Sequence, residues 1–247
     1  MYTNKPLTAY HIKWLAMIAM TLDHIAWAFL DYDSVWSESF HFIGRLVAPL
    51  MCYFLAVGFY HSHDVDGYLK RLLLFAVISQ FAFYAFDIGL YLAVFDFRLQ
   101  EFIAQGNVMF SLFLALLALK IYKMVLPIWA KVLAILLICP VIEYADYGMA
   151  MLLWTFVFYY FYTPDKQRLT PMLITYLLSM PVAYVLIYGF KQTVGLGFMH
   201  FGMILTALVI YLDNGKKGGA WGGRYLFYVF YPVHLLVLAL IKEFTIV

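Results

Sequence analysis

Asp23 and His24 are adjacent ionisable residues inside an apolar run, residues 12–30, that is long enough to cross a membrane. Ionisable groups at that depth are costly and rarely present without a function. An imidazole exchanges a proton near neutral pH, so the chemistry on offer is general acid–base catalysis or proton transfer. Lys13 precedes His24 by eleven residues. At about 100° per residue, that spacing returns almost to the same helix face, about 16 Å further along the axis. One stripe therefore carries a cation near one membrane edge and a base past the midplane. Such a layout suits a long anionic cofactor threaded through the bilayer.

Other polar residues interrupt later apolar runs. Arg45 enters the second run, Gln80 lies in the third, Asn107 opens the fourth, and Tyr147 and His200 open later ones. His234 follows Tyr231-Pro232 in the last, where the proline should open the helix locally. Polar side chains in a bilayer face the protein interior, so a shared cavity is expected. Each has a plainer reading. Asp23 can be a structural partner of Arg45, and His234 a packing residue. Asn107 and Gln80 can be glue between helices. His41 and His200 read as interfacial. Adjacent helical residues diverge by about 100°, so Asp23 is expected to bond Arg45 or His234 rather than His24.

These residues must be positioned by helices. Nine apolar segments stand out, at 12–30, 41–59, 70–86, 108–122, 128–141, 148–162, 172–188, 198–212 and 226–241. The expected fold is all-α, a polytopic transmembrane bundle of about nine spans in a single domain, residues 1–247. With the N-terminus in the cytoplasm and the C-terminus outside, 12 of the 16 Lys and Arg fall on cytoplasmic ends, as the positive-inside rule requires. Pro127, Pro140, Pro171 and Pro181 mark helix starts or kinks. The loop at 87–107, with Phe95, Phe97 and Phe102, is expected to lie on the membrane surface.

Composition agrees: 66% of residues are hydrophobic and 12% charged, against about 25% charged in soluble domains. A net charge of +2 gives no case for nucleic acid. Cys52 and Cys139 sit in apolar runs and read as reduced packing residues. The first apolar run is too long for a cleaved signal peptide. The His61-Ser62-His63-Asp64 stretch lacks a second ligand cluster, so no metal is expected. Lys216, Lys217 and Arg224, among glycines, form a flexible cationic loop that could receive phosphates, and Lys70-Arg71 is similar. A positive-inside loop is the alternative for both.

The ordered motifs resemble the TraX family, membrane acetylases of conjugative pilin. They are IKWLAMIAMTLDHI at 12–25, GRLVAPL at 44–50 with Gly58, RLLLFAVISQ at 71–80, GNVMFSL at 106–112, YGM at 147–149 and FYPVHL at 230–235. The Lys13-x10-His24 spacing also resembles the Arg-x10-His pattern of wider membrane acyltransferase families, with Lys in place of Arg. The resemblance implies an N-acetyltransferase of the bacterial inner membrane. It would carry acetyl from cytoplasmic acetyl-CoA to the N-terminal amine of a membrane-inserted pilin. It implies His24 as general base, Asp23 as its electrostatic support and Arg45 or Asn107 at the oxyanion, with His234 in the same catalytic set. Lys13, Arg71, Lys216, Lys217 and Arg224 would hold the CoA.

Three other functions fit the same residues. An O-acetyltransferase could act on a cell-envelope glycan. A proton-coupled transporter would use intramembrane Asp and His as a relay, and a pilus-assembly scaffold would use them only for packing.

Overall fold

A computed structural model of the chain describes residues 5–189, 197–219 and 225–245. Among them, regular structure is entirely helical, and two isolated bridges, Leu7 with Asp213 and Gly106 with Ala145, are the only β pairing. Apolar side chains with no water to bond the backbone leave the helix as the way to satisfy it. The helices are α1 (Ala9–Phe29), α2 (Val35–Gly44), α3 (Val47–His61), α4 (Val65–Ile88), α5 (Leu90–Phe95), α6 (Leu99–Ala104), α7 (Val108–Lys123), α8 (Ile128–Ile142), α9 (Gly148–Phe161) and α10 (Leu169–Tyr188). A 3-10 turn, Phe198–Met203, leads into α11 (Ile204–Leu212), and α12 (Leu226–Thr245) follows. By length and composition, five segments can cross a membrane: α1, the joined pair α2 and α3, α4, α10 and α12. This is a helical membrane protein.

Each of the nine apolar segments contains helix. Several boundaries differ from the sequence expectation; α4, for one, starts at Val65 rather than near residue 70. The second segment begins at Val35 rather than near residue 41, because Ser34 caps α2 by accepting from Ser37 N at 3.2 Å. The stretch 87–107 contains α5 and α6, each six residues long, which is too short for a periodic pattern to register. Tyr91, Phe95 and Phe97 there are exposed.

The chain divides into two compact units, with α3 and α4 each contributing to both. The first unit comprises the described parts of residues 1–50, 81–97 and 196–247. In it α1 packs against α2 and α12, α2 against the 3-10 turn, and α5 against α12. Two glycines permit the closest approaches. A methyl group at Gly202 would stand 1.7 Å from the Phe42 carbonyl oxygen, and one at Gly44 would stand 2.3 Å from Asp23 Cβ.

The second unit comprises residues 51–80 and 98–195, as far as they are described. Here α9 packs on α10 and α7, and α8 on α7. Its core is aromatic: Trp154, Phe158 and Tyr176 are fully buried, and Phe158 lies 5.7 Å from Tyr53 between ring centres. Tyr147, in a left-handed conformation (φ 62°), turns the chain into α9, whose first turn is capped by Glu143 accepting from Met149 N at 3.2 Å.

Polar pairs at helix ends tie particular edges together. Lys120, at the end of α7, bonds Asp66 at the start of α4. Gly106 N donates to Tyr144 O at 2.7 Å. Tyr91 N, at the start of α5, donates to Glu243 Oε2 near the end of α12 at 3.2 Å. Asn214 N, beyond α11, donates to Leu7 O at 2.8 Å.

Candidate active site

The first unit holds Asp23, His24, Arg45 and His234 of the expected catalytic set. Asp23 and His24 are neighbours on α1 and, as helical geometry requires, face different helices. Asp23 faces α2. Its Oδ1 accepts from His41 Nδ1 at 2.9 Å, with the two side chains 13% and 1% exposed. Asp23 thus has a bonded partner, the imidazole of His41, that the sequence expectation of Arg45 or His234 did not name, and Arg45 also acts on it through its charge. His41 is buried within the protein, 1% exposed.

The meeting of Asp23 and His41 follows from helix length. Asp23 stands six residues before the end of α1 and His41 six residues after the start of α2, each about 9 Å from the 30–34 turn. Antiparallel helices joined by a short turn bring such positions to one level. Gly44, one turn beyond His41's neighbourhood, leaves room for the Asp23 side chain. The glycine of the Gly-Arg motif thus has a steric cause. Arg45, 8% exposed at the end of α2, places its charge where it acts on Asp23, His24 and His200. His200 is buried too, against expectation, with Nδ1 bonded to Gly197 O at 3.2 Å.

His24 faces α12 and the end of α4. Its Nδ1 donates to Met20 O at 2.8 Å and lies 3.3 Å from His234 Nε2. His234 Nδ1 donates to Phe230 O at 3.0 Å, its ring stacked on Phe230 at 4.9 Å. These bonds assign Nδ1–H to both rings. His234 Nε2 then offers its lone pair to His24 Nδ1–H, which is shared with Met20 O. Among the described residues, no group bonds His24 Nε2. His24 is thereby fixed in one tautomer with a basic nitrogen unspent, beside the Phe86 ring at 5.2 Å.

Asn107 belongs to the second unit and is fully engaged there. Its Oδ1 caps α7 by accepting from Met109 N and Phe110 N, and its Nδ2 donates to Ala76 O and Gln80 Oε1, both at 2.8 Å. Both amide hydrogens are spent, which leaves no donor for an oxyanion. Gln80 in turn donates to Phe102 O and Gln105 O. For these two residues the helix-glue reading describes the geometry.

Of the expected phosphate-binding cations, Lys13, Lys216 and Lys217 lie in the first unit. Lys13 is half-buried on α1. The carbonyls of Lys216 and Lys217 accept from Ala9 N at 2.9 Å and Tyr10 N at 3.1 Å. That loop therefore satisfies backbone donors of α1's first turn, while both lysine side chains are exposed. Gly218, at φ 79°, lets it close over Thr8. Arg71 is in the second unit with its guanidinium 5.8 Å from the Tyr68 ring centre. Arg224 lies outside the described residues.

The sequence reading underrated His41. The available signal was Ser34 as an N-cap, which starts α2 early and puts His41 level with Asp23.

A helical membrane protein that gathers three histidines and a carboxylate in one unit, joined in two bonded pairs, is the class these features define. The TraX protein family model matches residues 9–242, so the chain belongs to the TraX family. It is also 38% identical over 244 residues to the probable fimbrial assembly protein FimC, serogroup H1, of Dichelobacter nodosus, covering 99% of each chain. No solved structure matches it.

Proposed function

We propose that this protein is a membrane-embedded acetyltransferase of the bacterial inner membrane. It moves acetyl from cytoplasmic acetyl-CoA to the N-terminal amine of a pilin subunit, and it shares its chemistry with the wider membrane acyltransferases. The fimbrial name of its relative supports a pilus-related acceptor over an envelope glycan. The carrying observation is His24: one ring nitrogen fixed, the other unspent, on an unbroken helix with Lys13 eleven residues earlier.

In this reading the exposed Lys216 and Lys217, together with Lys13, attract the phosphates of CoA, and the thioester reaches His24 along α1. His24 takes a proton from the attacking nitrogen and returns one to the departing thiolate. Arg45 faces the oxyanion. Nine crossings, N-terminus inside and C-terminus outside, fit the edge pairs: each of the four joins ends that this path assigns to the same side.

The test is acetyl-CoA binding and slow hydrolysis by the purified protein beside His24→Ala. Binding by both, with turnover at least about 10²-fold lower in the variant, is expected. No binding by well-folded wild-type protein would overturn the reading and favour a proton-coupled transporter, for which the His24–His234 contact would be a relay step.

A further inference from the structure

An amine that arrives as an ammonium must lose two protons to become an amide. The departing thiolate takes one. His24 has a single unspent nitrogen, so it carries one proton at a time. The first proton needs another acceptor, and the first unit contains one that the acetyl-transfer chemistry above leaves unused.

That group is His41. Its Nδ1–H is held by Asp23 Oδ1 at 2.9 Å, the arrangement by which a buried carboxylate fixes an imidazole tautomer and supports its protonated form. Among the described residues, no group bonds its Nε2. The ring is clamped by Trp27 at 4.7 Å and Tyr32 at 6.3 Å, and it is 1% exposed. The charged or titratable groups of this cluster, among the described residues, are Asp23 and His24 on α1, Glu38 on α2 with Arg45 at its end, His200 in the 3-10 turn, and the Tyr32 phenol against the ring. By contrast, His24's own hydrogen-bond partners are a backbone carbonyl and an imidazole, and Asp23 acts on it through its charge without bonding it.

We propose that His41, held by Asp23, is a second catalytic imidazole that takes the first proton from the acceptor's ammonium. This rests on the acetyl-transfer reading. His41 Nε2 removes one ammonium proton, and the free amine's lone pair forms the C–N bond to the thioester carbonyl carbon. In the resulting intermediate the nitrogen still carries one proton too many. His24 Nε2 takes it as the C–S bond breaks, its electron pair leaves with sulfur, and the same proton passes to the thiolate. The products are the amide, the free thiol of CoA, and one proton released from His41 to water.

The test is kcat/KM for a peptide with a free N-terminus, with acetyl-CoA as donor, from pH 6.5 to 9.5. Wild type, His41→Gln, Asp23→Asn and His24→Gln are compared in detergent. A model α-amino group titrates near 7.7–8.0, so at high pH the acceptor arrives already deprotonated. His41→Gln is expected to be down about 10²-fold at pH 6.5 and less than about tenfold at pH 9.5. Asp23→Asn keeps the imidazole and the side-chain shape. It should show the same pH-dependent deficit and serves as the readout where His41→Gln misfolds. The deficit of His24→Gln should be flat. A flat deficit or a wild-type rate for folded His41→Gln or Asp23→Asn, with wild type active, overturns the role of His41 alone. No transfer by wild type overturns the acetyl-transfer reading together with it.

Discussion

In the first unit Asp23, His24, His41 and His234 are all ionisable, and each imidazole spends its Nδ1–H on a carbonyl or carboxylate. Two of those rings keep Nε2 unbonded among the described residues. In the second unit Asn107 and Ser111 spend their polar atoms within the protein, while Ser79 Oγ and Thr155 Oγ1 are buried without a hydrogen-bond partner among the described residues. Asn107 uses both amide hydrogens and its oxygen, and Ser111 donates to Asp146 O at 2.6 Å. Asn107 and Ser111 hold their unit together, whereas His24 and His41 each retain an imidazole lone pair that can move a proton. Burial of polarity by itself does not mark a reactive site; unspent valence on a titratable group does.

Three substitutions test that contrast. The largest effect should come from Gly44→Ala. Its new methyl group collides with the Asp23 side chain, and the overpacking costs about 1–3 kcal/mol. Displacing the carboxylate from His41 should lower acetyl transfer per folded molecule roughly 10²-fold. Transfer within twofold of wild type would show that the seating of Asp23 does not matter. Next, Asn107→Ala removes an N-cap and the side-chain bonds to Ala76 O and Gln80 Oε1. It should lower stability by about 1–3 kcal/mol, measured as earlier thermal unfolding in detergent. Turnover per folded molecule should stay within about twofold, and a large loss of kcat without loss of stability would put chemistry in the second unit. The smallest effect is expected for Lys13→Ala, a rise in KM for acetyl-CoA of roughly tenfold, about 1.4 kcal/mol, with KM for the acceptor unchanged. Unchanged KM for acetyl-CoA would remove Lys13 from donor binding.

How much the sequence reveals depends on the kind of interaction. The nine helical segments were legible because continuous apolar runs admit little else in a bilayer. The divergence of Asp23 from His24 was legible from helical geometry alone. The bond of His41 to Asp23 was not legible because Ser37, Glu38 and Ser39 break the apolar run before it, and hydropathy then places the helix start too late. The capping of α1 by the carbonyls of Lys216 and Lys217 had no side-chain signature, since backbone acceptors are the same for every residue. Asn107 stayed open between helix glue and oxyanion donor, because whether its amide is spent depends on Ala76 and Gln80, some thirty residues away.

The unbroken course of α1 from Lys13 to His24 has a consequence for donor choice. A continuous helix of this length is a rod, and its two ends stay about 16 Å apart. On the acetyl-transfer reading it acts as a ruler. A donor such as acetyl phosphate, with its acyl group beside its charge, reaches Lys13 or His24 and never both. A thioester on a long arm spans the two, so the protein selects its acyl donor by length as well as by charge.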